Sequence, residues 1–231
     1  MTPPPRSFDA VLCDLDNVVR FYDFSELAAL ERESGLTAGL TASVAYAPDL
    51  DLPLLLGHID VGRWTESVAG RMAAFVPPGR ALELARAMAD APFRADPEAV
   101  ELLRRARDLV PLVIVTNATA RLEGELAAMG IGDLADHVVN SAWEGVAKPD
   151  PEIYRTACRL AGVAPERCLF VDDRTENTEA AAALGMSAVR YRSVEDLRQA
   201  LEPLFTAPGV AAPAGAAAAG VPRRATVRPT S

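Results

Sequence analysis

Short apolar runs separated by longer stretches of helical periodicity set the pattern of this chain. Residues 10–13, 112–115 and 168–171 are apolar at successive positions without polar alternation. That is how a strand buried on both faces reads. Val138 and Val139 mark a shorter strand, and 188–191 a fifth. Helix signals lie between them. Asp96 precedes Pro97 and Glu98: a capping residue, a proline in the first turn and an acid at the positive end of the dipole. This helix is predicted to run to about Leu109, and Asp150-Pro151 opens another that ends near Gly162. Helices over 119–129 and 176–184 stop at Gly130 and Gly185, and Ser193 caps a last one towards Leu204. Strands alternating with helices predict βαβ units and a parallel sheet. Right-handed crossovers would put helices on both of its faces.

Residues 21–93 read differently. Ser25 is placed to cap a helix to Gly35 carrying Phe24, Leu27, Ala28 and Leu30 on one face. Pro48, Pro53 and Gly57 restrict 36–65 to short or interrupted helices. Helices over 65–75 and 79–90 follow, with no strand predicted. The expected organisation is an α/β core over 1–20 and 94–205, with a helical unit inserted at 21–93. Residues 1–7 would be a frayed arm and 206–231 a disordered Ala/Pro/Gly tail, locally basic at Arg223, Arg224 and Arg228.

Composition narrows the function. A net charge of -9 over 231 residues argues against nucleic-acid and anionic-membrane partners, which need clustered Lys and Arg. Three cysteines, Cys13, Cys158 and Cys168, form no disulfide framework and read as small core residues. With no signal-peptide pattern and no long apolar span, the expected location is cytoplasmic. Two histidines, His58 and His137, supply no zinc cluster. Gly130-Ile-Gly132-Asp-Leu-Ala135 has dinucleotide-fingerprint spacing but follows a helix, so it is set aside.

The candidate chemistry sits where strands end. The first ends in Asp14 and Asp16, the second in Thr116 and Asn117, and that at 168–171 in Asp172 and Asp173. Lys148-Pro149 lies in the loop before a capped helix. In a parallel sheet these ends share one edge. Carboxylates so close need a cation, a shared proton, or both. Carboxylates without His or Cys suit Mg2+, while a hydroxyl and an ammonium suit phosphoryl oxygens. One carboxylate would serve as nucleophile and another as general acid/base.

Asp14-Leu15-Asp16-Asn17-Val18-Val19, Thr116, Lys148-Pro149 and Asp172-Asp173 with Asn177 resemble, in order, the four motifs of the haloacid dehalogenase-like (HAD) hydrolase superfamily. The resemblance covers roughly residues 8–200. It implies a Rossmann-like parallel-sheet core with an inserted helical cap, the helical-cap (subclass I) arrangement. By this resemblance Asp14 is the nucleophile and Asp16 the general acid/base. Mg2+ is held by Asp14, Asp173 and the Asp16 backbone carbonyl, with Asp172 acting directly or through water and Asn177 behind it. Thr116, Asn117 and Lys148 hold the phosphate. The stretch from Val171 is similar to the sugar-phosphate phosphatase branch and to the phosphatase domain of soluble epoxide hydrolases. Asn17-Val18 departs from the Gly-Thr of many members, though Asn-Val occurs in that branch.

The expected activity is Mg2+-dependent hydrolysis of a small phosphate monoester, sugar phosphates among the candidates, through an aspartyl-phosphate. A phosphomutase, a haloacid dehalogenase and a non-catalytic binding protein are the alternatives on this core. Arg20, Tyr22, His58, Arg63 and Trp64 are candidate substrate contacts. Arg20 stands out because it lies six residues past Asp14, where the chain leaves the core; a hinge salt bridge is its other reading. Trp64 reads first as core of the helical unit.

Overall fold

The computed structural model describes residues 8–206. The expected amino-terminal arm and the tail beyond Thr206 lie outside the described residues. Strand β1 (Ala10–Cys13) leads to β2 (Arg20–Tyr22), then to α1 (Ser25–Glu33), α2 (Leu40–Ala45), α3 (Pro48–Leu55), α4 (Val61–Met72) and α5 (Pro78–Ala89). β3 (Phe93–Ala95) brings the chain back to α6 (Pro97–Arg107), β4 (Leu112–Thr116), α7 (Leu122–Ala128), β5 (His137–Asn140) and α8 (Ser141–Glu144). The last elements are α9 (Pro151–Ala161), β6 (Cys168–Asp172), α10 (Thr175–Ala183), β7 (Ser187–Arg190) and α11 (Val194–Phe205).

Five strands form a parallel sheet in the order β5-β4-β1-β6-β7. β1 is central and buried on both faces, which is why it lost its alternation. Val11 and Cys13 point into one apolar layer with residues of α6, α7 and α11, including Leu103, Leu122 and Leu201. Ala10 and Leu12 point into the other, against Ile153, Tyr154 and Ala157 of α9 and Ala181 of α10. The two predicted proline starts form as capped ends. Asp96 Oδ1 accepts from the N–H groups of Glu98 and Ala99, and Asp150 Oδ1 from that of Glu152.

The inserted helices pack on their own apolar cluster, centred on Trp64, Val68, Met72 and Leu84. Two local expectations fail here. β2 and β3 pair antiparallel with Arg20 opposite Ala95 and Tyr22 opposite Phe93, where no strand was predicted. Each is three residues long, too short for a period of two to show. Ser25 does not cap α1; it is the first helical residue, and its N–H donates to Asp23 Oδ1. No helix among the described residues is long and apolar enough to cross a membrane.

Candidate active site

The sheet register lines up the strand ends. Cys13 pairs with Ile114 on one side and Val171 on the other, and the Asp14 N–H donates to Val171 O at 2.9 Å. Asp14 therefore sits level with Val115 and Asp172, one position short of Thr116. Connections from β1 run to β4 and β5 on one side and then reverse to β6 and β7. A crevice opens at such a reversal, beyond the carboxyl ends of the strands.

Lys148 reaches this point from the loop before α9. Its Nζ lies 2.7 Å from Asp14 Oδ1 and 2.7 Å from Asp172 Oδ2, and all three side chains are buried. Asp172 is further tied down by Asn177 Nδ2 and by the Arg174 N–H at 2.9 Å. Asn177 is itself braced, since its carbonyl accepts from Tyr154 Oη at 3.1 Å. The Asn117 side chain clasps the Lys148 backbone, donating to its carbonyl at 2.9 Å and accepting from its N–H at 2.8 Å. Thr116 is fully buried, and its Oγ1 has no hydrogen-bond partner. A buried hydroxyl left unpaired costs about 1–3 kcal/mol. An orphan at this position suits a ligand oxygen.

Burial pushes the Asp14 carboxyl up to about 8; Lys148 opposes the rise, while Asp172 and Asp16 add to it. Burial pulls the Lys148 ammonium down, but Asp14 and Asp172 outweigh it and the net direction is up. Burial also raises Asp173, against a hydrogen bond from Asn17. Oxygens of Asp14, Asp172 and Asp173 lie within 4.8 Å of one another, close enough to share one cation. An all-oxygen donor set of clustered carboxylates, without His or Cys, fits Mg2+. Asp173 and Asp14 are the better placed to bind it directly, because Asp172 is already engaged on both oxygens.

Asp16 points elsewhere. Arg20 holds its carboxylate by two bonds, Nε to Oδ1 at 2.5 Å and Nη2 to Oδ2 at 3.0 Å. The third arm of the guanidinium reaches Glu125 on α7, and the group lies over the rings of Tyr22 and Phe93. Arg20 is 1% exposed although it carries a full charge. Its partner Glu125 is 105 residues away, and no sequence signal marked it. In the sequence Asn17 stands out only as a departure from a motif. It adopts φ 60, tolerable for Asn, and its Nδ2 donates to Asp173 Oδ2 at 3.0 Å.

Between the sheet edge and the inserted helices lies a cavity of about 380 Å³, bordered by Asp16 and Asn117 below and by α3, α4 and α5 above. Of the candidate contacts, Arg20, Tyr22 and Trp64 line it, whereas His58 and Arg63 are exposed outside it. Trp64 is both core and wall, and its buried Nε1–H has no partner.

The sequence profile of the haloacid dehalogenase-like hydrolases matches residues 8–185. A phosphatase of Mycobacterium tuberculosis is 32% identical over 79% of this chain and 86% of its own length. Several other curated relatives are matched over half of their length or less. A HAD family enzyme from Bacteroides thetaiotaomicron, crystallised with magnesium and inorganic phosphate, superposes with a TM-score of 0.62 at 18% identity. The match covers 80% of this chain and 94% of that one. L-2-haloacid dehalogenase from Xanthobacter autotrophicus superposes with a TM-score of 0.58 at 22% identity, over 87% and 85% of the two chains. At these identities the two structures share the fold.

Proposed function

The chain belongs to the haloacid dehalogenase-like hydrolases, and from that premise we propose that it is a Mg2+-dependent phosphatase of a small phosphate monoester. The observation that carries this reading is Lys148 held between Asp14 and Asp172, beside a buried Thr116 hydroxyl with no protein partner. An ammonium and a free hydroxyl at the level of a carboxylate nucleophile are what a transferring phosphoryl group requires.

Asp14 attacks phosphorus, the bond from phosphorus to the leaving oxygen breaks, and Asp16 supplies the proton that oxygen needs. Asp16 then takes a proton from water, whose oxygen attacks phosphorus and releases phosphate from Asp14. Lys148 and Thr116 hold the equatorial oxygens through both steps. Asp14, Asp173 and the Asp16 backbone carbonyl would hold Mg2+, with Asp172 reaching it through water. The cation would neutralise charge on the phosphoryl group and relieve the repulsion among the carboxylates. Asp172 and Asn177 keep Lys148 aimed, and Asn117 fixes its loop. The inserted helices form a cap that excludes bulk water from the cavity.

A dehalogenase also uses a carboxylate nucleophile, but a halide leaving group needs neither a proton donor nor a cation. Asp16 at the edge of the cavity and the Asp14, Asp172 and Asp173 cluster favour the phosphatase. A screen for phosphate release across a metabolite panel tests this. Release should require Mg2+, stop with EDTA and vanish in Asp14→Asn. No release from any ester in Mg2+ would return the protein to the binding-protein reading.

A further inference from the structure

The cavity above Asp16 carries information about the leaving group. It borders the carboxylate that would protonate the leaving oxygen, so the alcohol half of the substrate must occupy it. One wall is a continuous aromatic face. The Tyr22 and Phe24 rings stack with centroids 5.7 Å apart, and Phe93 meets Tyr22 edge-on at 5.8 Å. Leu54, Val61 and Trp64 of the inserted helices form much of the facing side.

The buried cation of the lining is already paired, and the second lies in an exposed pair at the rim. Arg20 is taken by Asp16 and Glu125, and Arg121 by Asp90 at 3.2 Å. Among the described residues that line the cavity there is no lysine and no third arginine. A carboxylate or second phosphate on the alcohol would meet three acidic side chains, and both arginines of the lining already pair with them. Burying an unpaired charge in such a place is strongly disfavoured, whereas an apolar group gains by leaving water.

We propose that the cavity selects an uncharged, predominantly apolar leaving alcohol, so the preferred substrates are monoesters whose phosphoryl group is their only charge. This rests on the phosphatase reading, and it separates aryl- or alkyl-bearing esters from sugar phosphates and amino-acid phosphates. Phosphate is held by Lys148 and Thr116, and preference is set by the aromatic wall.

The test uses three primary-alkyl ligands of matched leaving-group reactivity: phenylbutyl phosphate, its ring-carboxylated counterpart and a hexose phosphate. Turnover is read as phosphate release by the Mg2+-loaded enzyme. Binding of the corresponding phosphonates, which cannot turn over, is read by calorimetry. The expected result is kcat/KM and affinity at least about tenfold higher for the phenylbutyl ligand than for either other, a difference of about 1.4 kcal/mol. Leu55→Arg, which adds an unpaired cation to the lining, should narrow the gap to the carboxylated ligand. Equal or better turnover of the carboxylated ester or the hexose phosphate would overturn the pocket assignment and leave the phosphatase reading intact. Selective phosphonate binding with no turnover of any ester would do the reverse. Absence of both binding and turnover for the phenylbutyl ligand would overturn the assignment as well.

Discussion

Lys148 Nζ donates to Asp172 Oδ2 at 2.7 Å, with both side chains closed off from solvent. Asp172 thereby sets the position of the ammonium that also meets Asp14. Lys148→Met leaves the two carboxylates facing each other without a cation between them. Breaking a buried pair by removing one partner costs about 3–5 kcal/mol. Denaturant unfolding should show a loss of that order, and kcat/KM should fall about a hundredfold or more. Lys148→Arg should not restore activity, because a planar fork does not fit a site closed around a point charge.

Thr116→Val separates stability from catalysis. The substitution is nearly isosteric and removes a buried hydroxyl that has no partner. The variant should unfold at equal or higher denaturant, with a gain of up to about 1 kcal/mol. Its kcat should nonetheless fall by about tenfold to a hundredfold, while Thr116→Ser retains most of it. A variant that lost stability and kept full activity would make Thr116 a strand end and nothing more.

In the proposed mechanism Arg20 positions Asp16. Its bidentate grip, anchored by Glu125, fixes where the Asp16 carboxylate stands at the cavity edge. Arg20→Met should lower kcat about tenfold or more and move KM little, since the group touches the acid/base and not the phosphoryl site. Arg20→Lys should not rescue it, lacking the fork. A rise in KM with unchanged kcat would instead make Arg20 a substrate contact.

Much of this arrangement was legible in the chain. Ala10–Cys13, Leu112–Thr116 and Cys168–Asp172 read as strands because burial on both faces leaves an unbroken apolar run. The residues at their ends could be nominated by type, since a parallel sheet brings those ends to one edge. What was not legible depends on tertiary geometry. The Arg20–Glu125 contact joins residues 105 apart, and no local pattern encodes it. The clasp of Asn117 on the Lys148 loop runs through backbone atoms, which every residue possesses. The ribbon of β2 and β3 is too short to display a period. In α1 the N-cap position falls on Phe24, which makes no side-chain cap bond, and Asp23 accepts the Ser25 N–H instead, an offset of one residue in the helix start that propensity does not resolve.

With Mg2+ bound at Asp14 as proposed, stability and metal affinity should depend on pH. Burial holds the Asp14 proton up to about 8, far above its ordinary value of 3.8. A carboxyl raised on folding favours the folded state at low pH, and that contribution is lost as pH climbs towards the folded value. Mg2+ requires the ionised form, so its binding releases a proton. Mg2+ should therefore raise Tm more at about pH 8 than at about pH 6, and its affinity should weaken by up to about tenfold per pH unit on acidification. Thermal scans and calorimetry at several pH values read both. A pH-independent affinity would place the metal away from Asp14.

Gly57 marks where the inserted helices meet the core. Its φ is +71, and a Cβ there would lie 2.5 Å from the Ala142 carbonyl oxygen in α8. Gly57→Ala combines a left-handed backbone with a clash against backbone, and should destabilise by about 1–3 kcal/mol. Because the clash forces the two units apart, KM should rise as well, which steady-state kinetics will show.

In the proposed mechanism Asp14 carries the phosphoryl group. The direct measurement is mass spectrometry of peptides from enzyme quenched in acid during turnover of a phosphate monoester with Mg2+. A phosphoryl group is expected on the peptide containing Asp14, on that residue, and none in Asp14→Asn. Phosphate release that continues in Asp14→Asn, or a phosphoryl group found only on another residue, would contradict it.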